Sequence, residues 1–174
     1  MSKTLMKNLL KVSIFSLIAY IALSCNSSNT SEYVDLGLPS GTLWKNQNEK
    51  GYYSWDKAKS EFADKIPTRD QIEELKIFCT WEWTGKGVKV IGANGNYIYL
   101  PAGGYRSYFG GMEGVGSEGS YWSSSSSPST VGDFDFDFSY GRGMANFLFF
   151  SHGGVGIYGG NMGDERSVRL VQDN

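Results

Sequence analysis

The sequence predicts an α+β domain. Two stretches with helical periodicity lie between Ser54 and Cys79, and short strand-like runs separated by turn residues follow them. Glycine marks the same division: of the 23 glycines, only Gly37, Gly41 and Gly51 precede Gly85.

The first 24 residues read as an export signal rather than as part of the fold. Lys3, Lys7 and Lys11 precede the apolar run Val12 to Leu23, which is shorter than the roughly 20 residues a membrane span needs. Ala22-Leu23-Ser24-Cys25 closes it in the manner of a loose bacterial lipobox, with Cys25 as the lipidated first residue of the mature chain. The alternative is an ordinary signal peptide cut nearby, with Cys25 a free thiol. Residues 25–32 are small and polar and read as a flexible tether, leaving 33–174 as a single domain. Removing the signal takes away three lysines and no acid, so 13 basic residues face 18 acidic ones and the mature charge is −5. That charge gives no basic excess for nucleic acid. An aromatic content of 15% argues against a disordered chain. One His and two Cys leave little for a metal cluster, and with Cys25 acylated Cys79 has no disulfide partner.

The first helix is expected from Ser54, as N-cap, to about Lys65, with Trp55, Ala58 and Phe62 forming its apolar stripe. Pro67 and Thr68 open the second. Thr68 and Gln71 have capping-box spacing, and Ile72, Leu75 and Cys79 share one face. Cys79 then reads as a small buried hydrophobe, with a reactive thiol as the alternative. Val88 to Ile91 and Tyr97 to Leu100 flank an Asn-Gly turn and form a hairpin. Further strands are expected at Tyr121 to Ser124, Ala145 to Phe150 and Ser167 to Val171. In a fourth, Phe134, Phe136 and Phe138 alternate with Asp133, Asp135 and Asp137. Trp81 and Trp122 are expected in the core.

Chemical motifs are weak. GxGxxG occurs at Gly114 to Gly119 and at Gly154 to Gly159, but neither match opens a helix as dinucleotide binding requires. Ser123 to Ser127, His152 and the Asp133 to Asp137 run contain the residue types of a hydrolytic triad without a nucleophile elbow. The three Asp offer calcium ligands, yet alternate positions on a straight strand stand about 7 Å apart, too far for one ion. No cofactor and no enzymatic activity are expected.

Seven motifs carry a family resemblance. They are Tyr33 to Trp44 (YVDLGLPSGTLW), Ile66-Pro67-Thr68, Cys79 to Trp83 (CTWEW), Asn94-Gly95-Asn96 before Tyr99-Leu100-Pro101-Ala102, Gly103 to Arg106 (GGYR), Gly119 to Ser124 (GSYWSS) and Arg166 to Val171 (RSVRLV). Together they resemble Bacteroidetes exported lipoproteins carrying a Fibrobacter succinogenes major paralogous domain. That domain is similar to the C-terminal domain of the Legionella collagen-like protein. The resemblance implies a C-type-lectin-like fold of the formylglycine-generating-enzyme subtype, with two helices packed on short antiparallel strands and long Gly-rich loops. It implies that residues 33–44 lie beside 166–171, and that binding falls to an irregular region from Arg106 to Gly163.

The chain also departs from its relatives. It lacks the Cys-containing stretch many of them carry after Trp44, so the formylglycine-generating Cys chemistry does not transfer. The Glu-Pro-Asn and Gln-Pro-Asp triplets of calcium-dependent lectins are absent. The expected function is a lipid-anchored binding module of the outer membrane, on its surface or periplasmic face, holding a glycan or protein. Its candidate contacts are Tyr108, Arg142, Asn146, His152, Tyr158, Asn161 and Asp164, chosen as polar or aromatic groups in Gly-rich loops. The alternative is a structural subunit of an envelope complex with no free ligand.

Overall fold

The computed structural model describes residues 32–127 and 143–174. The signal peptide, Cys25, the Phe134–Phe138 alternation with its three Asp, and Arg142 lie outside the described residues. No helix among the described residues is long and apolar enough to cross a membrane.

The architecture is α+β. Strands β1 (Tyr33–Asp35) and β2 (Leu43–Lys45) are followed by helix α1 (Trp55–Phe62), a 3-10 turn (Ala63–Lys65) and helix α2 (Arg69–Phe78). Then come β3 (Thr80–Trp83), β4 (Gly87–Ile91), β5 (Tyr97–Pro101), β6 (Tyr105–Arg106), β7 (Met112–Glu113), β8 (Glu118–Ser127), β9 (Met144–Ser151), β10 (Gly154–Asn161) and β11 (Val171–Gln172). Every pairing within the sheets is antiparallel, in the orders β1-β2-β11, β3-β4-β5, β6-β7 and β10-β9-β8. The chain end joins its beginning through β2, where Val171 faces Trp44.

Both helices form where their periodicity predicts. Helix α2 has the full capping box: the Gln71 N–H donates to Thr68 Oγ1 at 3.2 Å and the Thr68 N–H to Gln71 Oε1 at 2.9 Å. Ser54 is the N-cap of α1, but its side chain makes no capping bond, contrary to expectation. Helix α1 stops at Phe62, where Ala63 takes a left-handed φ of 47° and a 3-10 turn follows. In the turn between β4 and β5, Gly95 alone adopts positive φ. Asn94 and Asn96 instead donate their side-chain amides to the Asp35 carbonyl at 3.0 and 2.9 Å, tying the turn to β1.

The β8–β9–β10 sheet has a core on each face. Tyr121, Leu148 and Phe150 point to one side, where Ile72 and Leu75 of α2 and Val88, Val90, Ile98 and Leu100 of the β4–β5 hairpin complete a cluster. Trp122, Ala145 and Phe147 point to the other, against Tyr53, Ala58, Ile66, Val168 and Leu170. Trp122 is fully buried, whereas Trp81 is half-buried: it packs on the first cluster and also lines a cleft.

The region from Arg106 to Gly163 is more regular than expected. Strand β10 pairs residue for residue with β9 from Gly154↔Ser151 to Asn161↔Met144. Its alternation was hidden because one face is Gly154, Gly156, Tyr158 and Gly160, while Val155 and Ile157 turn to the core. The GxGxxG at Gly154 to Gly159 is therefore strand, and the one at Gly114 to Gly119 is a turn running into β8.

Candidate functional site

The candidate contacts do not form one cluster. Tyr108, Asn161 and Asp164 gather at the end of the β8–β9–β10 sheet where Asn161 faces Met144. His152 sits in the β9–β10 turn at the opposite end, and Tyr158 lies between, on the open face of β10.

Arg166 lies beneath the first group and holds it through Asp164. The segment Glu165-Arg166-Ser167 threads between three others: Glu165 bridges Arg106, Arg166 bridges Tyr53, and Ser167 bridges Tyr121. This carries the Arg166 side chain inward, leaving the residue 3% exposed. Its guanidinium carbon lies 3.7 Å from the centre of the Phe147 ring, 4.6 Å from Tyr105 and 4.8 Å from Trp122. Arg166 Nη1 donates to Ser120 Oγ and Nη2 to Asp164 Oδ2 at 2.7 Å, while Nε has no partner among the described residues. Guanidinium is weakly hydrated and planar, which suits it to a stacked, buried site. Burial pulls its pKa down to about 10, and the Asp164 charge opposes that fall.

Asp164 extends this order to the surface. Its other oxygen, Oδ1, accepts from the Tyr108 N–H at 3.0 Å. Asn161 Oδ1 accepts from the Gly163 N–H at 2.8 Å, closing the turn after β10. The Tyr108 ring covers Gly163 so closely that an added Cβ there would lie 2.7 Å from it. Tyr105 supports the hairpin beneath: its hydroxyl donates to Glu113 Oε2 at 2.7 Å, and that bond, with burial, pushes its pKa up to about 12.

Tyr158 is 56% exposed, and its ring packs against Phe147 and Phe149 at centroid distances of 6.2 and 5.8 Å. Gly156 lets the ring lie along the strand, since a Cβ there would stand 2.7 Å from it. Tyr158 and Tyr108 thus flank a stretch of backbone, Gly159 to Gly163, that carries three glycines.

Asn146 is not a surface contact. It is buried opposite the β8 bulge, where the register jumps between Trp122 and Ser126, and its amide donates to the Ser126 carbonyl at 2.8 Å. Ser125 Oγ in the same bulge accepts from the Arg69 N–H at the start of α2. Ser123 to Ser127 do not reach His152, and the Asp133 to Asp137 run lies outside the described residues. The serines pair near Met144 to Phe147, more than about 13 Å of strand away from His152.

No family model, curated protein or solved structure matches the chain. Its own geometry supports a surface for non-covalent recognition. Exposed aromatic rings stand on a backbone held by buried polar contacts, the arrangement by which rigid scaffolds present contact residues. Sequence reasoning missed Arg166, Tyr105 and Phe147. The available signal was the pair Arg166 and Arg169 set into an otherwise apolar run, because long cations inside such a run must be buried and partnered.

Proposed function

We propose that this is a lipid-anchored binding module of the outer membrane, tethered through Cys25, that holds a glycan or protein along the strip between Tyr158 and Tyr108. Its fold is of the C-type-lectin-like type, and its relatives are the Bacteroidetes lipoproteins its motifs resemble. The observation that carries the reading is the pair of half-exposed tyrosines, 56% and 48%, resting on backbone packed against the Arg166 box. Aromatic faces supply contact area at low conformational cost, and a backbone fixed by packing presents them preformed. The test is a screen of immobilised glycans and envelope or host proteins with Tyr158→Ala and Tyr108→Ala as controls. Binding lost in both variants supports the strip. A ligand held equally by both variants would refute it.

A second reading, a subunit docked in an envelope complex, is favoured by the tip of the β6–β7 hairpin. There Phe109 is 85% exposed, and its ring packs against Tyr108. It predicts a stoichiometric partner in a crosslinked pulldown, lost on Phe109→Ser. Protease digestion on intact against lysed cells separates surface display from the periplasmic face.

A further inference from the structure

We propose that the open edge of β10 pairs with the β10 of a second copy of this chain, joining two three-stranded sheets into one of six strands. The proposal does not rest on the Tyr158–Tyr108 strip being a binding site.

The two edges of the β8–β9–β10 sheet differ. The outer edge of β8 is closed, because Gly104 bridges Gly119 and Ser167 bridges Tyr121. The outer edge of β10 has no strand beside it among the described residues. Its open groups follow from the hairpin. In a hairpin with a two-residue turn the flanking pair, here Ser151 and Gly154, is hydrogen-bonded, so alternate residues from Gly154 onward turn their N–H and C=O groups to β9. The Met162 N–H keeps that phase, donating to the Gly143 carbonyl at 3.0 Å. Val155, Ile157 and Gly159 therefore direct their N–H and C=O groups outward, and none of these groups has a partner among the described residues.

The devices that ordinarily protect such an edge are missing. Strand β10 runs eight residues without proline, charge or bulge, and none of its residues is buried. The Tyr158 ring leans back over Gly156 and onto Phe147 and Phe149, which keeps it off the edge. The sequence of β10 selects a second copy as the occupant. Antiparallel pairing about Ile157 sets Ile157 against itself, Val155 against Gly159, Gly156 against Tyr158 and Gly154 against Gly160. Apart from Ile157, each larger side chain meets a glycine, and no charge meets its like. Every outward N–H of Val155, Ile157 and Gly159 then finds a carbonyl of the second copy. An eight-residue edge is a small interface, so the dimer should be reversible.

The test is sedimentation equilibrium of the full chain in detergent, with micelles in excess over protein, between about 1 μM and 1 mM. The native chain should pass from monomer to dimer across that range. Tyr158→Lys and Tyr158→Glu each set two like charges diagonally across the two-fold axis, about 7–8 Å apart. Each should weaken the dimer at least about tenfold. An equimolar mixture of the two should restore it, which neither variant could do unfolded. Hydrogen exchange followed by NMR should slow at the Val155, Ile157 and Gly159 amides as the dimer forms. The proposal is overturned if the native chain stays monomeric throughout, or if its dimer survives both single variants with the Ile157 amide still exchanging freely. Slow exchange at Ile157 in a monomer would show the edge covered by another part of the chain, and would overturn it equally.

Discussion

Replacing Arg166 tests whether one buried cation holds the Tyr108 hairpin to the sheet. Arg166→Ala removes the ion pair to Asp164 at 2.7 Å, the bond to Ser120 and the packing on three rings, and it leaves Asp164 largely buried without its countercharge. Breaking a buried pair by deleting one partner costs about 3–5 kcal/mol. For a domain of this size that corresponds to a fall in Tm of about 10–17 °C. Arg166→Lys keeps the charge but loses the planar fork, so one ammonium cannot serve Asp164 and Ser120 while stacking; it should lose roughly half as much. Asp164→Asn keeps an acceptor for the Tyr108 N–H and removes only the countercharge. Thermal melts followed by circular dichroism read all three. A double-mutant cycle between Arg166→Met and Asp164→Asn should give a coupling above about 1 kcal/mol. Arg166→Ala melting within about 3 °C of the native chain, less than about 1 kcal/mol, would refute the reasoning.

Other outcomes follow from single features. An alanine Cβ at Gly92 would stand 1.9 Å from the Leu36 carbonyl oxygen, which cannot move aside, so Gly92→Ala should cost about 3 kcal/mol or more. Gly95 has open space and only a φ of 85° to satisfy, so Gly95→Ala should cost about 1–2 kcal/mol; equal losses in chemical denaturation would contradict the distinction. Burial, aided by the Glu74 charge, pushes the Cys79 thiol up to about 11. With Cys25 replaced by Ser, native Cys79 should react with a disulfide reagent at pH 8 on the order of 100-fold more slowly than in denaturant. Burial likewise pushes Tyr121 up to about 12, so the folded state holds that proton more tightly than the unfolded chain does. Its contribution is complete below about pH 10 and fades as pH rises toward 12, by roughly 2–3 kcal/mol. Tyr121→Phe has no such proton, so the stability gap between native chain and variant should narrow across that window, as the Tyr121–Arg169 pair titrates in the native chain alone.

Local signals account for what the sequence revealed of the fold. The stripe of α1, the capping box of α2 and the β4–β5 hairpin each depend on residues within a dozen positions, and each formed. Strand β10 was hidden because its pattern exists only against β9: three glycines on one face erase the alternation that Val155 and Ile157 keep on the other. Asn146 was misplaced for a related reason. An amide reads as surface until a bulge elsewhere presents carbonyls to it, and the bulge lies some 20 residues earlier in the chain. The site was legible in part. Tyr108, Asn161 and Asp164 do meet, around an Asp164 held from below by Arg166, whose burial needs rings from Tyr105, Trp122 and Phe147 on three separate strands.

The glycines themselves have a different cause from the one their abundance suggested. A Gly-rich stretch with Tyr and Phe reads as adaptable loop. In the folded chain many of these glycines instead make room for something large. A Cβ at Gly119 would lie 2.0 Å from the Phe150 ring, and one at Gly160 would lie 2.6 Å from Arg166 Nη2. At Gly156 and Gly163 the obstacle is the ring of Tyr158 or Tyr108. Glycine is therefore selected at these positions by close packing against aromatic and guanidinium groups within a paired sheet, not by a need for backbone freedom. A surface built this way is preformed. Its tyrosines rest on backbone that cannot yield without displacing Arg166 or the core, so it favours a ligand whose shape already fits, and little ordering entropy opposes binding.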